Sequence, residues 1–373
     1  MKHLLFATLV GWSSFAAYAA EDILIGQTAD FSSVAATQMR DFNAGALAYL
    51  ERVNAAGGIR GRPVKLVSLD DAFSAEKASG NARTLIKDRK VVALFGTRGT
   101  DPTEAVIKVA QENDVPLIAP ITGADSVRAS GVVFPVRASY RSEVDEMLKH
   151  MSISPVKLAV LVQHDKFGDP LYQYIVERTK KTYPNINLVG KVSFERKSAD
   201  LKPQAQQILN LDAQTVIALC NPSSCESFSR EMFSLARASG HSRPTIYQTS
   251  ITDIYAQFAK LGPDVVGGNP YSQILPDPNR IHLPITKEFM ATASRKPGLV
   301  VNYRTLEGYV SAKVLVRALE QAPTISARGI HSALEGMERQ DLGGIVVRYS
   351  KGDHQGSNFV DLVTLDKRGR LIH

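Results

Sequence analysis

Several polar turns, each placed directly behind an apolar run, carry the residue types that hold a small polar molecule. Thr97-Arg98-Gly99-Thr100-Asp101-Pro102 follows the unbroken run Val91 to Phe95 and Gly96, and a helical pattern begins at once behind it. Glycine lets a ligand approach the backbone, Thr100 offers a hydroxyl, and a helix start presents unpaired N–H groups to a carboxylate or another anion. Thr100 or Asp101 can equally serve as a plain helix cap with Pro102 at the first position. A second run, Ile121-Thr122-Gly123-Ala124-Asp125, repeats the logic behind Pro116 to Pro120. Three further turns follow the same rule: Gln163 to Asp169, which holds His164 and Phe167, Cys220 to Ser224, which holds Asn221, and Thr249-Ser250. Open α/β sheets bind ligands at the carboxyl ends of their strands, so these five turns are expected to converge on one cleft. Phe167, between a Lys and a Gly, is expected to be exposed there and to face the ligand.

Other chemistries lack their residues. There is no G-x-S-x-G, H-E-x-x-H, Walker A or G-x-G-x-x-G pattern, and the eight His are scattered, with His164 reading as a surface histidine. No enzyme activity, cofactor or metal site is therefore expected. Cys220 and Cys225, the two cysteines, are too few for zinc. In an oxidising compartment they could form a short disulfide across the Asn-Pro-Ser turn, and the sequence leaves bonded and free states open.

The elements that must position these turns read as alternating strands and helices. Ile23 to Gly26, Val64 to Leu69, Val91 to Gly96 and Pro116 to Pro120 read as strands. Helices intervene with Phe42, Ala46, Tyr49, Leu50 and Val53, then Ala78, Ala82, Leu85 and Ile86, then Ala105, Val106, Val109 and Ala110 facing inward. Strands that are apolar throughout suit a parallel sheet covered on both faces. The same grammar restarts after Val136 to Ser139, with strands at Leu158 to Val162, Leu188 to Phe194, Thr215 to Leu219 and Thr245 to Gln248. Two doubly wound units are thus expected. The Pro-rich stretch 270–284 reads as a return connection, before helices over 302–321 and 327–337 and strands near 345–349 and 359–365.

The chain has 373 residues, with 44% hydrophobic and 22% charged, enough for a large core in two domains. Its net charge of +7 is dispersed over short groups at helix ends, which argues for a solvated surface and against a nucleic-acid partner. Lys2 and His3, the apolar run Leu4 to Trp12 and the small-residue stretch up to Ala20 read as a secretory leader, residues 1–19, cleaved after Ala19. No Cys precedes Cys220, so export without a lipid anchor, into a periplasm, is expected.

Gly26-Gln27, the run Asn54 to Gly61 (N-A-A-G-G-I-R-G), Leu69-Asp70-Asp71-Ala72, Gly96 to Thr100, Val115 to Pro120 and Phe167-Gly168 together resemble the periplasmic leucine/isoleucine/valine-binding proteins of ABC importers. The resemblance implies an α/β, type I periplasmic-binding fold, two doubly wound parallel-sheet lobes joined by three crossovers, with hinge closure over a ligand. It places the crossovers near 137–139, 266–269 and 345–347. The lobes would be 20–138 plus 269–345, and 139–268 plus 346–373. It implies a monomer that carries a small-molecule ligand to an inner-membrane ABC permease; presentation to a membrane sensor is the alternative, and an exported enzyme a more remote one.

By motif position Gly99 and Thr100 would hold the ligand's carboxylate, Ile121, Thr122 and Gly123 would complete the shelf, and Phe167 would close over it from the second lobe, with Asn221 and Ser250 on the neighbouring turns. Amino-acid binders of the family place an acidic residue where this chain has Ser250. That opens the pocket to an amide, keto acid or aromatic carboxylate as well as an amino acid, unless Asp30, Asp253 or Asp101 supplies the charge. The family's usual cysteine after D-D-A is Phe73 here, which leaves Cys220 and Cys225 as the disulfide pair.

Overall fold

A computed structural model describes residues 21–33 and 36–372; the expected leader, 1–19, lies outside them. The chain begins β1 (Ile23–Ala29), α1 (Ala36–Ala55), β2 (Val64–Asp70), α2 (Ala75–Lys87), β3 (Ala93–Phe95), α3 (Thr100–Glu112), β4 (Leu117–Ile118), α4 (Asp125–Arg128) and β5 (Val133–Phe134). Then come α5 (Tyr140–Met151), β6 (Val156–Gln163), α6 (Gly168–Lys181), β7 (Ile186–Phe194), α7 (Lys202–Asn210), β8 (Thr215–Leu219), α8 (Pro222–Ser239), β9 (Thr245–Gln248), α9 (Ile254–Leu261), α10 (Pro263–Val266) and β10 (Tyr271–Gln273). The last part is α11 (Pro284–Ala293), α12 (Tyr303–Gln321), α13 (Ala327–Glu335), β11 (Gln340–Asp341), β12 (Val346–Ser350), β13 (Asp353–Gly356), β14 (Asp361–Leu365) and β15 (Leu371–Ile372).

The strands form two main sheets. The first, β2-β1-β3-β4-β5, is parallel throughout. The second, β15-β14-β10-β9-β8-β6-β7, is parallel from β7 to β10 and antiparallel at β14 and β15. β3 is buried on both faces, as its apolar run requires. Helix ends follow local chemistry. Gly57 and Gly58, both at positive φ, end α1, and the hydroxyls of Ser74 and Ser139 cap α2 and α5.

The chain passes between the lobes three times, at 135–139, at 274–283 and at 357–360. Two of these passages differ from the expectation. Residues 266–273 stay in the second lobe, because β10 pairs with β9 and β14 inside the stretch that reads as a return connection. The crossing follows at Ile274 and Leu275, which are buried in the first core. Residues 346–356 stay with the first lobe, because the β12–β13 hairpin covers the β5 edge. There the Tyr349 hydroxyl donates to Pro135 O at 2.8 Å, and Ser357 N donates to Val136 O at 3.0 Å. Only β14 and β15 return to the second sheet. α11 also lies outside the expected elements, behind the proline that starts it.

The first core rests on the crossing of α1 and α12, where Tyr49 meets Tyr309 edge-on at 4.9 Å. The helices approach backbone to backbone. A Cβ on Gly45 would stand 1.8 Å from Thr305 O, and one on Gly308 would stand 1.8 Å from Phe42 O. Gly80, on α2, faces open space. Gly308→Ala is therefore expected to destabilise the protein by about 1–3 kcal/mol through overpacking, whereas Gly80→Ala should be neutral or stabilise by up to about 1 kcal/mol through helix propensity. Urea denaturation of both variants checks the contrast, and equal stabilities would mean that the helices separate freely.

Candidate functional site

A narrow cleft opens between the lobes at the carboxyl ends of their parallel strands. On the first-lobe side, β3 leads through Gly96 and Arg98 into α3. Ile121 N donates to Thr97 O at 2.7 Å and Gly99 N to Ile121 O at 3.4 Å, so the two polar turns form one shelf. Gly99, Thr100 and Ile121 line the cleft. Gly99 is the N-cap of α3 and gives the helix no side-chain cap. Pro102 has no N–H and Thr103 N donates to Gly99 O at 3.3 Å, so the N–H groups of Thr100 and Asp101 are the ones left for a partner. Thr122 is buried behind this wall, its Oγ1 3.2 Å from Thr100 Oγ1 and accepting from Ala124 N at 3.3 Å. Gly123 faces a neighbouring groove, and a Cβ there would meet Tyr140 N at 2.7 Å.

Phe73, at the position where the family's cysteine was expected, projects into the same cleft. Its φ of 61° is unusual for a bulky residue. Asp71 Oδ1 holds the turn by accepting from Phe73 N at 2.9 Å, and a Cβ on Gly99 would lie 2.5 Å from the Phe73 ring. Burial pushes the Asp71 carboxyl up to about 6, against its bonds from Phe73 N and Thr28 and with help from Asp30 and Asp70.

On the second-lobe side, Asp165 Oδ1 accepts from Phe167 N at 2.9 Å and Gly168 N at 3.0 Å, which fixes the turn between β6 and α6. Phe167 lines the cleft but is only 7% exposed, because its ring packs edge-on against Tyr140 at 4.8 Å rather than standing free. Asn221 also lines the cleft, with its side chain already engaged: it caps α8 through Ser224 N at 3.2 Å, and its Nδ2 donates to Gln163 Oε1 at 2.7 Å. Cys220 and Cys225 are joined in a disulfide around this turn.

Ser250 does not stand on the cleft wall; Ile251 does. The Ser250 hydroxyl donates to Glu143 Oε1 at 2.9 Å and accepts from Arg137, its N–H donates to Glu143 Oε2 at 2.7 Å, and its carbonyl accepts from Arg304 Nη2 at 2.6 Å. Arg137 lies 3.8 Å from both Glu143 and Glu307, and Arg304 pairs with Glu307. Burial pushes the Glu143 carboxyl up, while Arg137 and the bonds from Ser272 and Ser250 oppose that shift. This charged knot joins the lobes beneath the cleft. At the rim, Lys166 Nζ of the second lobe reaches Glu104 at 2.6 Å and Asp101 at 3.4 Å on α3. Gln38 Nε2 donates to Ile251 O at 3.0 Å. The lobes are thus in contact across the mouth.

The proposed sources of a compensating acid are all committed. Asp30 is buried against Arg98 Nη1 at 3.2 Å, Asp253 caps α9, and Asp101 sits at the rim beside Lys166. The wall instead carries three guanidiniums, Arg98, Arg196 and Arg304. Burial pulls Arg98 down to about 10; Asp30 opposes this, and the Arg304 and Arg196 charges add to it. Sequence reasoning passed over Arg196, although it follows β7 as the other site turns follow their strands. Arg304 has no such signal, since it opens a helix from the last third of the chain.

Two parallel-sheet lobes facing each other across a polar cleft, with three passages of chain between them, define a type I periplasmic-binding fold. The periplasmic binding protein family model matches residues 22–370. The crystal structure of a substrate-binding periplasmic protein from Ralstonia solanacearum is 29% identical with a TM-score of 0.85, covering 94% of this chain and 99% of that one. An extracellular ligand-binding receptor from Verminephrobacter eiseniae is 26% identical with a TM-score of 0.87, covering 94% and 100%. The Leu/Ile/Val-binding protein homolog 7 of Brucella suis is 24% identical over 354 residues, 90% of this chain and 86% of that protein. The chain belongs to the periplasmic binding protein family, of the leucine/isoleucine/valine-binding type. The family is one of binding proteins, and it implies a periplasmic location.

The Asp71 environment gives a pH signature. Folding favours the neutral carboxyl, so the contribution of this group to stability is full below about pH 4 and is lost as pH rises to about 6. In melting curves from pH 4 to 8, Asp71→Asn should gain on the wild type between pH 4 and 6 and hold a constant difference above. A difference that does not change with pH would show that Asp71 titrates normally.

Proposed function

We propose that the chain is the substrate-binding component of an ABC importer. It binds a small carboxylate- or amide-bearing molecule between its lobes and presents the closed form to an inner-membrane permease. The observation that carries this reading is the uncapped start of α3 at the cleft, with the Thr100 hydroxyl beside it and Phe167 facing it from the other lobe. Backbone N–H groups at a helix start and an adjacent hydroxyl are suited to a carboxylate or carbonyl oxygen. A ligand that touches both walls favours the closed form by its differential affinity, which is what lets a receptor distinguish loaded from empty protein. Ile121 would shape the apolar part of the pocket, Thr122 and Gly123 would support Thr100 and the shelf from behind, and Asn221 would hold the second-lobe wall through Gln163. Ser250 would act on hinge geometry rather than on the ligand.

A thermal-shift screen against amino acids, amides, keto acids and aromatic carboxylates tests this. A ligand at 100 times its Kd adds about 2.7 kcal/mol of stability, a shift of several degrees. Thr100→Val is expected to weaken the best binder by roughly tenfold or more, as loss of a hydrogen bond to a charged group does, with a fall of a few degrees in the melting point of the free protein from the lost contact with Thr122. Full affinity in that variant would place the site elsewhere, and no shift with any compound would overturn the assignment.

A further inference from the structure

We infer that the ligand is a net anion rather than a zwitterion or an amide, and that Arg196 is the residue of the second lobe that reads its charge. The inference rests on the binding role proposed above and sharpens its substrate class.

It starts from a count of donors and acceptors on the wall. The carboxylates that line the cleft are Asp101 and Asp165. Asp165 Oδ1 takes the N–H groups of Phe167 and Gly168, and its Oδ2 takes Gln163 Nε2 and, at 3.3 Å, Arg196 Nη1. Asp101 is half exposed at the rim beside Lys166. Neither is placed to receive a buried ammonium, which is costly to leave unpaired. Donors, by contrast, are in excess. A guanidinium carries five N–H groups, and Arg196 directs one of them to Asp165.

The packing concentrates this charge. Phe73, fixed by Asp71 and by the missing side chain of Gly99, has the Arg196 guanidinium 4.1 Å and the Arg98 guanidinium 5.5 Å from its ring centre. One of these cations belongs to each lobe. The ring removes water from that side, so charges act there through a lower dielectric than in solvent. Arg98 already bears the repulsion of Arg196 and Arg304, and an anion in the cleft relieves it. An anion seated on Gly99 and Thr100 would meet Arg196 only when the second lobe is close, so negative charge itself would favour closure.

The test uses matched acids and primary amides on one skeleton, 4-methylpentanoate with 4-methylpentanamide and benzoate with benzamide, together with leucine, in calorimetric titrations of the wild type, Arg196→Gln and Arg196→Lys. The bound acid is expected to exceed its amide, and leucine, by roughly 10- to 100-fold in affinity, the range for a charge-assisted hydrogen bond. Arg196→Gln should remove most of that preference, and Arg196→Lys should restore part of it. An amide or leucine that binds as well as the acid, or an acid preference unchanged in Arg196→Gln, overturns the inference while leaving a ligand-binding protein in place. No binding by any of these compounds or by the wider screen overturns the binding role as well, and this inference with it.

Discussion

The closed arrangement of this molecule hangs on a buried knot of charge. Glu143 on α5, Arg137 on the first passage between the lobes, and Arg304 and Glu307 on α12 are all buried and meet beneath the cleft. Such groups are tolerated in the interior only as a set, because removing one partner strands another charge at a cost of about 3–5 kcal/mol. Ser250 and Ser272 complete the set by donating to Glu143. The knot therefore dictates which side chains are left to line the cleft: Arg304 faces it with its carboxylate partner behind, and Ser250 is drawn away from it.

The same constraint explains how far the sequence can be read. Placement that depends on a strand end and the turn behind it is legible: β3 is an unbroken apolar run, and Gly99 and Thr100 stand on the cleft where that run stops. Phe167 and Asn221 are reached by the same reasoning, though both are more engaged with their own lobe than a turn position suggests. Ser250 was misjudged because its partners, Glu143 and Arg304, lie 107 and 54 residues away, and no local pattern announces them. The second and third passages were misplaced for a related reason. β10 is three residues long in a Pro-rich stretch, and only its pairing with β9 and β14 makes it a strand.

Phe73 shows how one bulky side chain organises its surroundings. At this position a bulky ring needs room, a bent backbone and a neighbour without a side chain; the turn at Asp71 and Gly99 together supply all three. Once in place the ring gives the guanidiniums of both lobes a common surface. The wall is lined with cations whose counter-charges sit behind them or are shared among several donors.

The order of elements along the chain bears on when the protein can fold. β1 to β5 lie within residues 23–134, with α2 and α3 on one face, but on the other face α1 is joined by α11 to α13, which span 284–335. The second sheet waits longer still, since β14 and β15 join it from residues 361–372. The core over β6 to β9 draws only on residues 159–246, but the first core cannot close until residues 274–349 have been made. An early-released segment would therefore hold the first sheet with one face bare, so the lobe that begins the chain stays unfinished until the chain nears its end.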